Sequence, residues 1–147
     1  MPSVASRRRL NDAIGAVNRF SQSRKLGPIH AAKSGVDLNL AAYGVLGQVI
    51  AHGPVTLSEL AHHTHMLPSA LSRQIKLLED GGFIDRSVDR DDARVSVVRV
   101  TSKGRDAHRR IRKANEDLLA HQLAGWSDDE LDHLSDLMHR LVADLRR

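Results

Sequence analysis

The sequence predicts a mainly α-helical fold with a small two- or three-stranded β-sheet, built as a single domain over residues 1–147. Three observations predict this class. Apolar residues recur at helical spacing over most of the chain. Two helix-capping patterns, Thr-x-x-Glu and Ser-x-x-Glu, each precede an apolar stretch. Two short runs of β-branched residues flank a polar segment, as in a hairpin.

The composition excludes several classes of protein. Hydrophobic residues make up 41% and charged residues 27% of the chain, which is typical of a globular protein with a real core. The absence of cysteine excludes a disulfide scaffold, a thiolate zinc site and a cysteine nucleophile. The four aromatic residues (one Trp, one Tyr, two Phe) predict an aliphatic core and argue against a base-stacking surface.

Location and catalysis are also constrained. The longest uncharged stretch, residues 38–58, contains polar residues and glycine, so it predicts no membrane span. Arg7–Arg9 precede no apolar segment, so we expect no signal peptide and a cytoplasmic protein. The chain lacks G-x-S-x-G, Walker A and H-E-x-x-H motifs. We therefore predict that it is not an enzyme and has no cofactor or metal.

The charge distribution points to an acidic partner. The net charge is +4 and the pI is near 10.0, which favours nucleic acid. Residues 1–36 carry seven Lys/Arg and one Asp, whereas residues 57–100 carry six bases and seven acids. If DNA binds the middle of the chain, it does so through individually placed arginines. Arg7–Arg9 are either a solvated helix start or an arm that contacts phosphate.

The N-terminal part of the chain predicts two helices. Apolar spacing favours a helix over residues 4–26, which Gly27-Pro28 ends, and a loop continues to Asp37. Asn39 is the expected N-cap of a second helix, which stops before Gly53.

The middle of the chain predicts a helix-turn-helix. Thr56 and Glu59 form a capping box that opens a short helix. After a turn near residues 64–67, Pro68 begins another helix, which runs to Asp80. Two short helices joined by a tight turn are typical of a DNA-binding helix-turn-helix.

A hairpin and two helices complete the chain. Phe83–Val88 and Val95–Val100 predict strands, and the polar tip between them, residues 89–94, predicts a wing. Thr101 begins a long helix, and the Ser127–Glu130 capping box opens the last one.

The second helix of the helix-turn-helix has two distinct faces. Leu71, Ile75 and Leu78 predict a buried face. The opposite stripe holds only hydroxyls and cations: Ser69, Ser72, Arg73 and Lys76. Such a stripe suits the major groove of DNA, where serine bonds phosphate or base edges and arginine bonds guanine. The alternative is an ordinary solvated face.

The wing tip mixes cations with acids. Arg90 and Arg94 stand among three aspartates. A carboxylate such as that of Asp92 can fix the direction of a guanidinium, which then enters the narrow minor groove. The alternative is a polar tip that only keeps the hairpin soluble.

These features together resemble the MarR (multiple antibiotic resistance regulator) family. The resemblance covers nearly the whole chain and is carried by residues 53–61, 68–79, 82–84 with Arg86, 89–94 and 101–104. It implies a winged helix-turn-helix DNA-binding lobe over about residues 38–100. It also implies a helical dimerisation region over about residues 4–30 and 101–147. Such proteins are homodimers that bind pseudo-palindromic promoter DNA, and small phenolic or other anionic effectors often release them.

The resemblance also implies roles for individual residues. Ser69, Ser72, Arg73, Gln74 and Lys76 would face the major groove, and Arg94, oriented by Asp92, would enter the minor groove. Ala93 departs from the family pattern, which often has a second arginine there, so more weight falls on Arg94. Phe20 and Tyr43 either line the effector pocket or belong to the core.

The predicted function is that of a ligand-responsive homodimeric repressor that binds specific double-stranded DNA. Two alternatives remain. The first is a regulator that responds to metal or pH through its histidines, of which His62, His63 and His65 cluster. The second is a winged helix that binds proteins and not DNA.

Overall fold

The computed structural model describes residues 1–21 and 33–147, and within them the chain alternates helices with short strands. The helices are α1 (Val4–Ser21), α2 (Leu40–His52), α3 (Leu57–Thr64), α4 (Pro68–Asp80), α5 (Ser102–Gln122) and α6 (Asp128–Leu145). The strands are β1 (Val55–Thr56), β2 (Ile84–Val88) and β3 (Ser96–Val100). The chain divides into two compact units, Met1–Ala114 and Asn115–Arg147. The boundary between the two units falls within α5.

The predicted helix starts are confirmed atom by atom. The Asn39 side chain accepts a hydrogen bond of 2.8 Å from the Ala42 amide at the start of α2. Both capping boxes form, with Thr56 and Glu59 at α3 and Ser127 and Glu130 at α6. These side chains satisfy amide groups that a helix start otherwise leaves without partners.

The segment between α1 and α2 departs from the prediction. The predicted end of the first helix, at Gly27-Pro28, lies outside the described residues. Within the predicted loop, Lys33 and Ser34 are helical. Gly35 follows with a φ of +69°, a left-handed conformation that commonly ends helices, and the Ser34 hydroxyl bonds the Val36 backbone. Gly35 therefore carried a helix-end signal that the sequence analysis did not use.

The β-sheet has three antiparallel strands in the order β1-β3-β2. The predicted hairpin is confirmed by β2 and β3, in register from Ile84↔Val100 to Val88↔Ser96. The additional strand, β1, pairs Val55 with Val98 and Thr56 with Val97. Two residues are too few for a periodic pattern, which is why the sequence alone did not locate this strand.

The core of the first unit lies among α2, α3, α4 and the sheet. It is aliphatic, as the scarcity of aromatics predicted, and its largest fully buried side chains are those of Leu46, Leu60, Ile75, Leu78, Ile84, Val45, Val49 and Val98. Each such side chain contributes about 1.5–3 kcal/mol of transfer free energy on burial. The helix-turn-helix and the base of the wing therefore share one core.

The segment Thr101–Gly104 joins α5 to the start of the wing. The Thr101 hydroxyl donates to the Gly82 carbonyl at 2.7 Å and accepts from the Gly104 amide at 3.0 Å. The Lys103 ammonium donates to the Gly81 carbonyl at 2.7 Å. Gly104 packs so closely that a Cβ there would lie 2.1 Å from the Phe83 carbonyl oxygen. Only glycine allows this approach of α5 to the wing.

Two helices carry apolar side chains that the described residues leave exposed. On α1 these are Val4, Leu10, Ile14, Val17 and Phe20. On α6, which buries no residue, they are Leu134, Leu137, Met138, Val142 and Leu145. In the turn between α5 and α6, Trp126 is 47% exposed and its amide donates to the Leu123 carbonyl at 2.9 Å. Among the described residues of its own unit, each of these helices lacks a cover for its apolar stripe.

Candidate nucleic-acid interface

Helix α4 presents the cationic stripe that its sequence predicts. Leu71, Ile75 and Leu78 are buried, and this burial fixes the rotation of the helix in the core. The stripe of Ser69, Ser72, Arg73 and Lys76 is exposed on the other side. Arg73 makes no hydrogen bond or ion pair within the described residues. Its guanidinium is therefore available to a ligand.

Lys76 is exposed and forms a surface ion pair. Its ammonium lies 3.3 Å from a carboxylate oxygen of Asp80, one helical turn further on. Side chains this exposed gain only about 0–1 kcal/mol from such a pair. The pair is therefore weak enough for a phosphate to replace Asp80.

Gln74 lies off the cationic stripe. It is half-buried, about 100° around the helix from Arg73, and its Oε1 atom is buried without a hydrogen-bond partner in the described part of the chain. The structure thus brings together four of the five residues assigned to the major groove and places the fifth beside the core.

The first turn of α4 is open at its N-terminal end. Pro68 occupies the first turn, and the N-cap residue Leu67 makes no side-chain capping bond. Leu67 itself is exposed. Uncapped amides at a helix N-terminus, together with the helix dipole, favour an anion such as a DNA phosphate.

The wing tip holds Arg94 through Asp92. The Arg94 Nε and one terminal nitrogen donate to the two carboxylate oxygens of Asp92 at 3.2 and 3.4 Å. The Arg94 backbone amide donates to the same carboxylate at 3.0 Å. These bonds lower the pKa of Asp92, so the carboxylate stays ionised at neutral pH. The Arg94 side chain is nevertheless 91% exposed, so the pair orients the guanidinium without hiding it.

The other residues of the tip have separate roles. The Asp89 carboxylate accepts from the amides of Asp91 at 2.7 Å and Asp92 at 3.4 Å, which folds the turn. This structural role of Asp89 is one that the sequence analysis missed, although an Asp at the start of a tight turn is a usable signal. Arg90 is exposed and without a partner among the described residues.

Two open grooves flank the wing. The first, of about 350 Å³, lies between the start of α3 and the wing and is lined by Thr56, Leu57, Ser58, Arg94, Val95 and Ser96. The second, of about 630 Å³, includes Arg90 and Arg99 together with Glu59, Asp89 and Asp91. Arg99 is an exposed cation that the sequence analysis did not single out. Arg99 directly follows the buried Val98 on β3, and successive side chains of a strand point to opposite faces, so its outward direction was predictable from the sequence.

An ion pair links the wing to α4. The Arg86 Nε atom on β2 lies 3.2 Å from a carboxylate oxygen of Glu79. Both side chains are partly exposed, so the pair adds little to stability. Its position between the two candidate DNA-binding elements indicates that it helps to fix their relative direction.

The two candidate effector residues lie on different helices. Phe20 is 55% exposed on α1. Tyr43 is half-buried on α2 and stacks on His108 of α5, with ring centroids 4.8 Å apart. Gly47 allows this approach, because a Cβ there would lie 3.2 Å from the His108 ring. Burial, and then the charge of Arg112, lower the pKa of His108. Nothing in the sequence pairs residues so far apart, so His108 was missed.

The described ranges 1–21 and 33–147 contain no cluster of three or more His, Asp or Glu side chains arranged to hold a metal ion. Nor does any helix within these ranges have the length and apolarity needed to cross a membrane.

Comparison with known proteins places these features in context. The sequence profile of the MarR family matches residues 36–95. An uncharacterised HTH-type transcriptional regulator of Mycobacterium bovis is 32% identical over 108 residues, which cover 71% of this chain and 76% of the relative. The HTH-type transcriptional repressor IacR of Pseudomonas putida is 21% identical over 103 residues, covering 70% of this chain and 62% of that protein.

The fold is also similar to solved structures. A mutant MarR from E. coli, solved in complex with operator DNA, superposes with a TM-score of 0.72. The match covers 90% of this chain and 92% of that chain at 21% sequence identity.

Proposed function

Because this chain belongs to the MarR family of transcriptional regulators, we propose that it is a ligand-responsive homodimeric repressor that binds pseudo-palindromic promoter DNA. Like the proteins to which it is similar, it is a DNA-binding regulator of transcription and not an enzyme. The observation that carries the finer proposal is the exposed Arg94 guanidinium, which Asp92 holds outward before any DNA is present.

The winged lobe, over about residues 38–100, supplies the DNA contacts in this proposal. Helix α4 enters the major groove, where Arg73 reads a base edge and Ser69, Ser72 and Lys76 contact phosphates or bases. Arg94 enters the adjacent minor groove, and Arg90 contacts the backbone beside it. Gln74 acts from the edge of the stripe, since it is half-buried.

The helical regions, over about residues 4–30 and 101–147, form the dimer. The exposed apolar stripes of α1 and α6 support this, because monomeric proteins rarely leave such stripes uncovered. A two-fold dimer also explains a pseudo-palindromic site, since each protomer reads one half-site.

A small phenolic or anionic effector is the proposed signal. Tyr43 supports this assignment with a half-buried ring that carries a hydroxyl, and Phe20 supplies an exposed ring on α1. Repression as the outcome is supported by the similarity to the Pseudomonas putida relative, which is a transcriptional repressor. The protein would work in the cytoplasm, beside the DNA that it binds.

One binding experiment tests this proposal. The purified chain is titrated onto the DNA upstream of its own gene and onto random DNA of equal length, at one fixed salt concentration. A repressor of this kind binds its operator about 10³-fold or more tightly than random DNA. Equal affinity for both sequences would leave the protein-binding winged helix as the better description.

A further inference from the structure

Four histidines gather at the end of α2 and around the turn that leads into α4. The rings of His52, on α2, and His63, on α3, are stacked face to face, with centroids 3.6 Å apart and planes 4° from parallel. The ring of His62 meets that of His63 edge-on at 5.8 Å, and the ring of His65 lies 6.3 Å from that of His62. The proposed DNA contacts use none of these side chains. We call them the histidine cluster.

The histidine cluster lies on the joint of the helix-turn-helix. The His52–His63 stack is a side-chain link between α2 and α3, which pack against each other. His65 follows α3 in a left-handed conformation, with φ of 54°, and its amide donates to the Ala61 carbonyl at 3.0 Å. This turn sets the direction in which α4 leaves α3. The position of α3 against α2 therefore influences the presentation of the cationic stripe.

The charges around the histidine cluster are almost all of one sign once it is protonated. The groups that face His63 are His52 from α2, Glu59 and His62 from α3, and His65 from the turn. Glu59 is the single carboxylate among them, and it already accepts a hydrogen bond of 2.9 Å from the Thr56 amide. Two protonated imidazoles stacked at 3.6 Å repel each other. Protonation of both stacked rings therefore opposes the observed packing, whereas the neutral rings can stack without this repulsion.

The pKa of His63 moves in the direction that this geometry requires. Partial burial lowers it first, and the neighbouring His52, then His62, lower it further, while the Glu59 carboxylate raises it. The folded protein therefore binds this proton less readily than the unfolded chain does. The corresponding stability is fully present above the ordinary histidine pKa of about 6.5 and is lost as the pH falls through and below that value.

A proton fits the histidine cluster better than a metal ion. The lone pairs of imidazole nitrogens lie in the ring plane, so two parallel stacked rings direct them into separate planes and not toward one point. Within residues 1–21 and 33–147, no three His, Asp or Glu side chains are arranged to hold a metal ion.

We propose that the histidine cluster is a pH-dependent latch, in which neutral imidazoles hold α3 against α2 and protonation below neutral pH loosens the helix-turn-helix. The final step, weaker recognition of the operator in acid, rests on the DNA-binding function proposed above. The latch itself is a property of the free protein, so the two parts can be tested separately.

The first test needs no DNA. Histidine ring signals are followed by NMR between about pH 5 and 8 in the full chain, in His52→Gln and in His121→Gln, an exposed histidine on α5 that serves as the control. We expect His63 to titrate below about 6.5 in the parent protein, to move up toward that value in His52→Gln and to stay unchanged in His121→Gln. A His63 that titrates at or above 6.5 in the parent, or that ignores His52→Gln, overturns the latch.

The second test measures selectivity, the ratio of operator to random-DNA affinity, at about pH 7.5 and 5.5 and constant salt. We use the ratio of the two affinities because the positive charge of a protonated histidine strengthens binding to operator and random DNA alike, so that this effect cancels. We expect selectivity to be lower at pH 5.5 than at pH 7.5, because protonation of the histidine cluster loosens the helix-turn-helix that presents the cationic stripe. His52→Gln should lose most of that pH dependence and His121→Gln should keep it.

The outcomes separate the two proposals. Absence of selective binding at pH 7.5 refutes the proposed function. The latch is then judged by the NMR titration of His63 alone, which needs no DNA. Selective binding that is equally strong at both pH values refutes the link between the latch and DNA. Zinc that broadens the His52 and His63 signals at pH 7.5 and changes selectivity would replace the proton by a metal as the ligand.

Discussion

Among single residues, Asp92 and Arg94 are the pair on which the proposed minor-groove contact depends most. An arginine that is ordered only on binding DNA loses up to about 2 kcal/mol of side-chain entropy. The two side-chain hydrogen bonds from Arg94 to Asp92 order the guanidinium beforehand, while 91% of the side chain stays accessible. The negative charge of Asp92 is matched by its partner and is therefore not simply repulsive toward phosphate.

We predict that Asp92→Ala weakens operator binding, although it removes a negative charge from a loop that we propose to face DNA. The matched control is Asp91→Ala, because the Asp91 carboxylate is exposed and makes no hydrogen bond or ion pair within the described residues. That control should bind DNA equally well or slightly more tightly. Binding isotherms at two salt concentrations measure both variants. Tighter binding by Asp92→Ala at both would mean that the acid only keeps the hairpin soluble.

Arg94→Ala should lose affinity most where the minor groove is narrow. A·T-rich flanks narrow that groove and strengthen its negative potential, so the loss should be larger on operators with A·T-rich flanks than with G·C-rich flanks. Competition binding with the two flanking sequences measures the difference. An equal loss on both would place Arg94 on the phosphate backbone.

We expect alanine substitution of Arg73 and of Lys76 to weaken DNA binding in different ways. Arg73→Ala should cost about 1–3 kcal/mol per half-site on the operator and relax the preference at one base pair. Lys76→Ala should weaken operator and random DNA alike, because a phosphate contact carries no sequence information. Titration of both variants against both DNAs makes the comparison. Small and equal losses for Arg73→Ala would show that it reads no base.

Among the elements, helix α5 shows how a short motif fixes a junction. Thr101, Lys103 and Gly104 bond or closely contact the segment from Gly81 to Phe83, so the start of α5 and the base of the wing move together. The motif was visible in the sequence, but its partner segment was not, because the contacts join residues about 20 positions apart.

We expect Gly104→Ala to destabilise the protein by about 1–3 kcal/mol, because its Cβ would collide with the rigid Phe83 backbone. Gly44→Ala is the control: it lies inside α2 with nothing within 4 Å of its Cβ position, so it should gain about 0.5–1 kcal/mol. Urea unfolding at one protein concentration measures both. Equal stability of the two variants would contradict the close packing of α5 on the wing.

Local signals made most of the elements predictable from the sequence. Three helix starts follow from capping bonds to an amide three residues further along the chain, made by Asn39, Thr56 and Ser127. The buried face of α4 follows from the helical spacing of Leu71, Ile75 and Leu78. The strand β1, the Tyr43–His108 stack and the His52–His63 stack were not predictable in this way. Each depends on a contact between distant segments, and the spacing within either segment alone contains no trace of it.

At the scale of the whole molecule, the most consequential surface is formed by the apolar side chains that the described residues leave exposed on α1 and α6. These stripes are comparable in character with the core but lie on the outside of their own units. The burial of such stripes between two chains contributes free energy in proportion to the apolar area removed from water. Folding and assembly are therefore expected to be coupled in this protein.

We predict a dimer of about 32 kDa, twice the chain mass of 16.2 kDa, in sedimentation at micromolar concentration. Leu137→Glu, in the stripe of α6, should shift the equilibrium toward monomer. Val88→Glu, at an apolar residue of β2 that is also exposed, should not. A clean monomer for the parent chain, or the same behaviour in both variants, would refute the assignment of α6 to the interface.

The lone tryptophan, between α5 and α6, allows one unit of the molecule to be followed separately by fluorescence. Trp126 belongs to the unit Asn115–Arg147, and the chain contains no other indole. Fluorescence excited at the long-wavelength edge of protein absorption therefore comes from that unit, and the winged lobe contributes no signal. Emission from Trp126 follows events around α6 without a dye, whereas circular dichroism at the peptide bands follows all helices together. Two recordings on one unlabelled sample can thus tell whether assembly and lobe unfolding occur in one transition or in two.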